Sequence, residues 1–335
     1  MRLTRREFVR QASVSTLAIA ALSAEPVWAT DDEDKPLPIV DTHQHLWDLT
    51  KIRPPWLKRE TKLHRSHVME DYLAATKGLN VVKAVYMEVA VAPEDKVAEA
   101  EYIVELCRQT DNPTVAAVIG GEPGLDGFRD YITRFKGSPY VKGVRHIPPG
   151  GKGDEFLYLK QQFIDDVRLL GELGMRFDLC MPSQRLPEAA GVVDQCPDTR
   201  FILDHCGNAD PKAFWDDDRR AQNASAGRPS HDPDQWRRGI VELAKRENVV
   251  CKISGIVTRA PQDTWNASDL APIINHCLDT FGPDRVMFAS DWPVCTRVAT
   301  LREWVLALKE VVKDRSEEER RKLFADNAVR FYELG

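Results

Sequence analysis

Four side chains in this sequence could together hold a metal ion or move protons. His43 and His45 are separated by one residue, whereas His205 and Asp291 lie far along the chain. Three imidazoles and one carboxylate are a sensible ligand set for zinc, and without a metal they can act as an acid/base cluster. We therefore predict that they form one site, with Asp291 and His205 as catalytic residues, provided that the fold brings them together.

These residues lie at the ends of short apolar runs that are typical of strands. Eight such runs alternate with helix-patterned segments, which is the order expected of a parallel sheet with crossover helices. The runs cover residues 39–43, 81–89, 114–119, 141–145, 175–180, 200–205, 249–253 and 286–290. This order predicts an α/β fold, a (β/α)8 TIM barrel, with a doubly wound open sheet as the alternative. No Gly-x-Gly-x-x-Gly turn follows a run, which counts against a nucleotide-binding sheet.

A barrel would explain how residues so far apart in sequence could meet. The C-terminal ends of all barrel strands lie at one face, so His43, His45, His205 and Asp291 are expected to converge there. Alternation along the first strand puts Asp41 on the same face as the two histidines, where it could orient one of their rings.

Local signals predict where some helices begin and end. Phe163, Val167, Leu170 and Leu173 recur at helical spacing before Gly174 stops the pattern. A capping box that begins at Ser316 predicts a last helix through Phe331. The segment 209–236 is rich in Asp, Arg, Ser and Gly, and we predict an inserted loop there.

The N-terminus has the layout of an export signal. Arg5 and Arg6 precede Phe8 and a short apolar stretch, and small residues near position 29 suggest a cleavage site. We predict a twin-arginine-type signal peptide at 1–29 and a single domain at 30–335. The protein would then be a bacterial protein exported by the twin-arginine machinery to the periplasm or the medium. No later apolar run approaches the roughly 20 residues of a stable membrane span.

Composition excludes several other classes of protein. The 335 residues include 46 Lys and Arg against 52 Asp and Glu, a net charge of −6, without a basic block. A nucleic-acid partner is therefore not expected, and a small-molecule substrate is easier to accommodate. The seven cysteines form no Cys-x-x-Cys pair and are odd in number, so we expect buried thiols and no disulfide framework.

Six stretches, taken in chain order, form a set that points to a family. They are Asp41-Thr42-His43-Gln44-His45-Leu46-Trp47-Asp48, Lys142-Gly143-Val144-Arg145-His146, Phe177-Asp178-Leu179, Leu203-Asp204-His205-Cys206-Gly207, Cys251-Lys252-Ile253-Ser254-Gly255, and Phe281-Gly282-Pro283-Asp284-Arg285 running into Ser290-Asp291-Trp292-Pro293-Val294-Cys295. Together they resemble the amidohydrolase-2 family of the amidohydrolase superfamily. They are most similar to its sugar-acid lactonase branch, which includes L-fuconolactonase, L-rhamnonolactonase and 2-pyrone-4,6-dicarboxylate lactonase.

The resemblance implies a distorted barrel that hydrolyses a cyclic ester at its C-terminal face. It implies that Asp291 acts as the general base on water. It also implies that His43, His45 and His205, together with Asp291, hold a divalent metal, zinc or manganese. The family also contains members that work without a metal, in which the histidines would polarise the substrate directly. The sequence departs from the family pattern after Cys206 and at Ala289, and these departures bear on the substrate more than on the chemistry.

Further residues are candidates for substrate contact. The resemblance implies that Arg145 grips the substrate, and its planar guanidinium suits a carboxylate or a lactone carbonyl; the alternative is a salt bridge at the barrel rim. Asp178 is also a candidate for substrate contact, and if it is buried its carboxylate needs a polar or charged partner. Glu88 is a further candidate for substrate contact, and the alternative is a solvated strand end. Trp47 and Trp56 could border the pocket, or they could pack within their loop. We expect Lys252 to pair with an outer helix.

Three hypotheses on function follow. The first is an exported lactonase, an ester-bond hydrolase that activates water at the His/His/His/Asp site. The second is a nonoxidative decarboxylase with the same metal ligands. The third is an exported binding protein without catalytic activity.

Overall fold

Eight parallel strands form a nearly closed barrel. The computed structural model describes residues 36–147 and 157–335. Each strand is hydrogen-bonded to the next one in sequence order. The strands are β1 Ile39–Gln44, β2 Val81–Met87, β3 Thr114–Gly120, β4 Val141–Arg145, β5 Arg176–Leu179, β6 Arg200–Leu203, β7 Val249–Ile253 and β8 Val286–Phe288. The predicted TIM barrel is confirmed, and this sequential order excludes the doubly wound sheet, whose strand order reverses.

The first and last strands meet through a small number of contacts. Gln44 forms an isolated parallel bridge with Trp292, and the amide of His45 donates to the Trp292 carbonyl at 2.7 Å. The Thr42 hydroxyl adds a hydrogen bond of 2.7 Å to the carbonyl of Phe288. The closure of the barrel therefore joins the two strand ends that carry His45 and Asp291.

Helices surround the barrel in the order expected of strand–helix units. They are α1 Met69–Thr76, α2 Lys96–Arg108, α3 Phe128–Thr133, α4 Gln161–Glu172, α5 Leu186–Gln195, α6 Asp217–Gln222, α7 Pro233–Ala244, α8 Ala267–Phe281, α9 Leu301–Val311, α10 Glu317–Arg321 and α11 Asn327–Tyr332. A π-helical turn, Lys322–Asp326, joins the last two. Among the residues that the structure describes, no helix is long and apolar enough to cross a bilayer.

The barrel has separate apolar layers on its two sides. Alternate residues of the strands, such as Val40, Val118 and Met287, pack inside with Ala328 and Tyr332 of the C-terminal helix. The other strand residues pack outward against the surrounding helices in a larger core. Side-chain alternation along each strand explains this division, and the C-terminal helix fills the interior at the end away from the predicted site.

The local helix signals are confirmed. The Ser316 hydroxyl accepts from the amide of Glu319, and the Glu319 carboxylate accepts in return from the amide of Ser316. This capping box opens α10, and helical structure continues through the π-helical turn to Tyr332. Gly174 follows α4 with φ of +71°, a conformation that favours glycine.

The prediction that the inserted segment 209–236 is a loop is wrong. The segment contains short helices, including Pro211–Phe214 and α6, as well as the start of α7. Asp210, Asp216 and Asp232 each accept a hydrogen bond from a backbone amide at a helix start. Capping by aspartate makes these short helices possible without the apolar periodicity that would have predicted them.

All seven cysteines are free thiols, as expected, and all but Cys180 are buried.

The predicted signal peptide, 1–29, lies outside the described residues.

Candidate active site

The ends of strands β1, β6 and β8 bring the predicted cluster together. His45 Nε2 lies 3.4 Å from Asp291 Oδ1, and His43 Nε2 lies 3.9 Å from the same oxygen. The ring centroids of His43 and His205 are 4.6 Å apart. Donor atoms of His43, His205 and Asp291 all lie within 4.8 Å of one another. The convergence that strand geometry predicts is therefore present in the structure.

Two of these residues have a strained backbone. His205 and Asp291 have φ values of +54° and +56°, in the left-handed region that side chains other than glycine seldom adopt. Each such residue costs on the order of 1–3 kcal/mol and persists where the surrounding structure holds it. Both lie just after a barrel strand, where the left-handed turn redirects the chain and sets the direction of the side chain.

Protein contacts fix one ring nitrogen on His45 and one on His205. His45 Nδ1 lies 2.9 Å from the carbonyl of Met87, and His205 Nδ1 lies 2.9 Å from the hydroxyl of Ser254. A carbonyl can only accept, so His45 carries its proton on Nδ1 and its Nε2 keeps a lone pair. Contacts of this kind orient metal-binding histidines in proteins.

Asp41 does not orient an imidazole ring, contrary to the prediction. Its carboxylate accepts from the Tyr72 hydroxyl at 2.8 Å, and from the amide and hydroxyl of Ser290 at 2.8 and 2.6 Å. It also accepts from the backbone amide of His43 at 3.2 Å. The pairing of β1 with β2 shifts register between Asp41 and Gln44, so strict alternation fails there. Asp41 instead links β1, α1 and the segment after β8.

Arg145 and Glu88 form a buried pair. Arg145 Nε donates to Glu88 Oε1 at 2.6 Å, and Nη2 donates to the Glu88 carbonyl at 2.7 Å. The Arg145 side chain is only 4% exposed. Substrate contact by either residue stays a prediction, and the structure shows the salt bridge that was the alternative for Arg145.

His43 lies between Arg145 and Asp204. Arg145 Nη1 is 3.2 Å from His43 Nε2, and Asp204 Oδ1 is 3.5 Å from His43 Nδ1. Burial lowers the pKa of His43 well below its ordinary value, although Asp204 acts in the opposite direction. Burial also lowers the pKa of His205. Both rings are therefore neutral near pH 7, as metal ligands and general bases must be.

Asp178 has the buried partner that it requires. Lys252 Nζ lies 2.6 Å from Asp178 Oδ1 and 3.2 Å from Asp204 Oδ1, inside the barrel. Burial would raise the pKa of Asp204, but Lys252 and His43 hold it well below its ordinary value. Burial would lower the pKa of Lys252, but Asp178 and Asp204 raise it. The expectation that Lys252 pairs with an outer helix is wrong, because its side chain lies on the inner face of β7.

Trp47 lies in an aromatic cluster beside the site. Its ring packs against His67 and Trp56, with centroids 4.8 and 5.8 Å away, and its Nε1 donates to the Arg65 carbonyl at 2.6 Å. The residue is 1% exposed, so the structure shows packing within the loop. Contact between Trp47 and a substrate stays a prediction.

Sequence reasoning did not assign Asp204, Lys252 or Ser254 to the site. Asp204 precedes His205 directly, and Ser254 follows Lys252 by two positions. Two signals were available: all three residues lie in stretches that carry the family resemblance, and Lys252 is a charged residue inside the otherwise apolar run of β7. Such a residue in a strand that is buried on both faces needs an opposite charge inside the barrel.

The donor set fits a divalent metal ion. Zinc bonds of about 2.1 Å in tetrahedral geometry separate neighbouring ligand atoms by about 3.4 Å, close to the observed spacing of His45 and Asp291. In this part of the barrel the carboxylates of Glu88, Asp204 and Asp291 outnumber the cations Arg145 and Lys252. A bound cation would offset this excess of negative charge. His43 Nε2 is shared with Arg145, so the guanidinium competes with a metal for that lone pair.

Gly255 makes room for the His205 ring, and substitution of this glycine tests the position of the ring. Its φ is +67°, and a Cβ at this position would overlap that ring. We expect Gly255→Ala to lower the free energy of unfolding by about 2–5 kcal/mol, since a steric clash adds to left-handed strain. Gly174→Ala is the control because it has similar strain and open space around it, and it should cost only about 1–2 kcal/mol. Equal losses in urea denaturation would show that the His205 ring does not pack on Gly255.

Comparison with known proteins gives several related matches. The family model described as "Amidohydrolase" matches residues 40–334. An L-fucono-1,5-lactonase of Burkholderia multivorans is 28% identical over 302 residues, which cover 88% of this chain and 96% of the relative. An L-rhamnono-gamma-lactonase of Scheffersomyces stipitis is 23% identical, covering 88% of this chain and 98% of the relative.

A solved structure has the same fold. It is an amidohydrolase from Burkholderia multivorans with bound zinc, and it superposes with a TM-score of 0.75 at 24% identity. The match covers 89% of this chain and all of the other. The family model spans nearly the whole described barrel, including every residue of the His/His/His/Asp cluster, and the chain therefore belongs to the amidohydrolase-2 family.

Proposed function

We propose that this protein is an exported, metal-dependent lactonase that opens a sugar-acid lactone or a related cyclic ester. The observation that carries the proposal is the position of Asp291, whose carboxylate faces His45 and His43 at the end of β8. The L-fucono-1,5-lactonase and L-rhamnono-gamma-lactonase relatives support hydrolysis of a lactone. The substrate is a small molecule that enters at the C-terminal face of the barrel.

Asp291 suits the role of general base. The groups nearest its carboxylate are the imidazoles of His45 and His43, at 3.4 and 3.9 Å, so among the described residues no lysine or arginine forms an ion pair with it. The carboxylate accepts a proton from water as the water oxygen bonds to the lactone carbonyl carbon. The ring C–O bond then breaks, and the same proton passes to the alkoxide oxygen. The product is an open hydroxy acid, which releases a proton at neutral pH.

His45 presents a lone pair on Nε2 and is placed to hold the metal, whereas His205 can hold the metal or, when the Ser254 hydroxyl donates to its Nδ1, donate from Nε2 to the developing negative charge. Each uses Nδ1 for a protein contact, which leaves Nε2 for the site. The ligands that we propose are His43, His45, His205 and Asp291, and the bound zinc of the Burkholderia amidohydrolase supports zinc as the metal. When bound, such a metal polarises a carbonyl oxygen and lowers the pKa of water.

The lactonase hypothesis is favoured over the alternatives. The L-fucono-1,5-lactonase and the L-rhamnono-gamma-lactonase described above are both lactonases by name. A carboxylate near neutral imidazoles at the mouth also serves water activation directly. A decarboxylase would release carbon dioxide, whereas a binding protein would retain ligand affinity after loss of the Asp291 carboxylate.

Replacement of Asp291 by asparagine tests the proposed base. We expect Asp291→Asn to lower kcat for lactone hydrolysis by about 10²- to 10⁴-fold, because the amide cannot accept the water proton. A pH-stat assay over a panel of sugar-acid lactones measures the acid released. Asp263→Asn, which removes an exposed carboxylate elsewhere, is the control and should retain full activity. Undiminished turnover in Asp291→Asn would overturn the assignment.

Removal of the metal tests the cofactor. Elemental analysis of protein purified without added metal should find about one zinc per chain. Dialysis against a chelator should lower both activity and Tm, and added zinc or manganese should restore them, since a ligand that binds only the folded state stabilises it. His45→Gln should reduce the zinc content, whereas His64→Gln, at an exposed position, should not. Full activity of metal-free protein would contradict metal dependence.

Export is a separate part of the proposal and rests on the N-terminal sequence. The paired Arg5 and Arg6 would direct the folded precursor to the twin-arginine machinery. We expect the double substitution Arg5→Lys/Arg6→Lys to leave the precursor in the cytoplasm, as measured by cell fractionation and immunoblotting. The unaltered precursor in the same cells is the control. Equal periplasmic amounts of the two proteins would exclude this export route.

A further inference from the structure

Lys252 links two carboxylates inside the barrel. Its side chain is fully buried, and its ammonium contacts Asp178 Oδ1 at 2.6 Å and Asp204 Oδ1 at 3.2 Å. The ring of Tyr332, from the C-terminal helix, lies with its centroid 5.9 Å from the ammonium. These contacts come from β5, β6, β7 and α11, so the position of the ammonium is set by several elements at once.

The oxygen of Asp204 that faces Lys252 also faces His43. Asp204 Oδ1 lies 3.5 Å from His43 Nδ1, on the opposite side of the ring from Arg145. A guanidinium has only hydrogen-bond donors, so the 3.2 Å contact of Arg145 Nη1 requires His43 Nε2 to accept. The ring proton must therefore be on Nδ1, which faces the negative charge of Asp204 Oδ1 at 3.5 Å without forming a hydrogen bond of good geometry.

We infer that Lys252 is a positioning residue for His43. It holds the Asp204 carboxylate in the orientation that keeps the His43 proton on Nδ1 and leaves Nε2 as the lone-pair donor to the site. Asp178 fixes the ammonium from its other side. The inference rests on the proposed function, because it treats His43 as a site residue. It deepens that function by giving Lys252 a role in preparing the site.

Arg145 is a second cation near Asp204, and Lys252 is needed to keep the Asp204 carboxylate turned toward His43. The other Asp204 oxygen, Oδ2, lies 3.7 Å from Arg145 Nη1. Without the ammonium, the Asp204 carboxylate can rotate toward Arg145 Nη1, which takes its negative charge away from His43 Nδ1 and draws the guanidinium away from His43 Nε2. The ring could then carry its proton on Nε2, which would block that nitrogen as a metal ligand.

An ordinary buried ion pair is the alternative, and it makes a different prediction. A pair that only stabilises the barrel would lower the free energy of unfolding when removed, but it would not change which ring nitrogen of His43 is protonated. The tautomer of His43 is thus a readout that separates positioning from stabilisation, and it does not depend on enzymatic activity.

The test is two-bond ¹H–¹⁵N correlation spectroscopy of the metal-free full chain labelled with ¹⁵N-histidine. Signals of His43 are assigned from their loss in His43→Gln. We expect the wild-type protein to show His43 protonated on Nδ1. The double variant Asp178→Asn/Lys252→Met removes one charge of each sign, so that only Asp204 loses a charged partner and Arg145 Nη1 remains 3.7 Å from its Oδ2. In this variant we expect His43 to shift wholly or partly to the form protonated on Nε2.

Zinc affinity provides the second measurement. Competition with a chromophoric chelator should show affinity about 10- to 100-fold lower in the double variant, the usual effect of losing a residue that orients a ligand. Arg219→Met/Asp269→Asn removes another largely buried ion pair, with 2.6 Å between its charged atoms, and is the matched control. It should lower stability without changing the His43 tautomer or zinc affinity. Asp178→Asn alone keeps Lys252 on Asp204 and should retain the wild-type tautomer.

Two outcomes would overturn the inference. One is a wild-type His43 protonated on Nε2, a result that requires no variant to fold. The other is a double variant in which His43 stays fully protonated on Nδ1. Failure of the proposed function is recognised separately, as the absence of lactone turnover by the wild-type protein with zinc added, and it leaves the tautomer measurement valid.

Discussion

The structure depends on the balance of charges that are buried inside one end of the barrel. Moving a charged side chain out of water costs several kcal/mol, so a buried charge needs an opposite charge or several hydrogen bonds beside it. Glu88 pairs with Arg145, and Asp178 and Asp204 share Lys252. These contacts cross between strands, and they hold the interior immediately beside the histidines in one arrangement.

Asp291 differs in its surroundings from Glu88, Asp178 and Asp204. Among the described residues its carboxylate contacts the imidazoles of His43 and His45, and its ion-pair contacts include no lysine or arginine. A carboxylate that is not tied to a fixed cation can accept a proton or bind a metal ion at small cost. The paired carboxylates therefore maintain the scaffold, whereas Asp291 remains available for chemistry.

Arg145 connects the scaffold to the site because it contacts both. Glu88 holds the guanidinium through Nε and Nη2, while Nη1 reaches His43. The same lone pair of His43 can serve a guanidinium or a metal ion, but not both together.

Much of the architecture was predictable from sequence because it follows from short-range patterns. Eight apolar runs separated by helix-length segments predicted the barrel, and the polar residues at the ends of three runs predicted the convergence of His43, His45, His205 and Asp291. The capping box at Ser316 and the stop at Gly174 were likewise local signals. Each strand run and each helix boundary follows from residue types and spacing within a few positions of the chain.

The tertiary structure alone decided how the interior charges pair. Asp41 was assigned to the wrong partner because a register shift in β1 breaks the alternation on which the prediction relied. Lys252 and Asp204 lie about fifty positions apart and meet only when β6 and β7 pair, so no local pattern reports their contact. Sequence by itself determined the fold and the convergence of His43, His45, His205 and Asp291, because strand periodicity is a property of neighbouring residues. Which nitrogen or oxygen each reactive residue presents was decided by contacts across the barrel, because hydrogen bonds and ion pairs depend on positions in space.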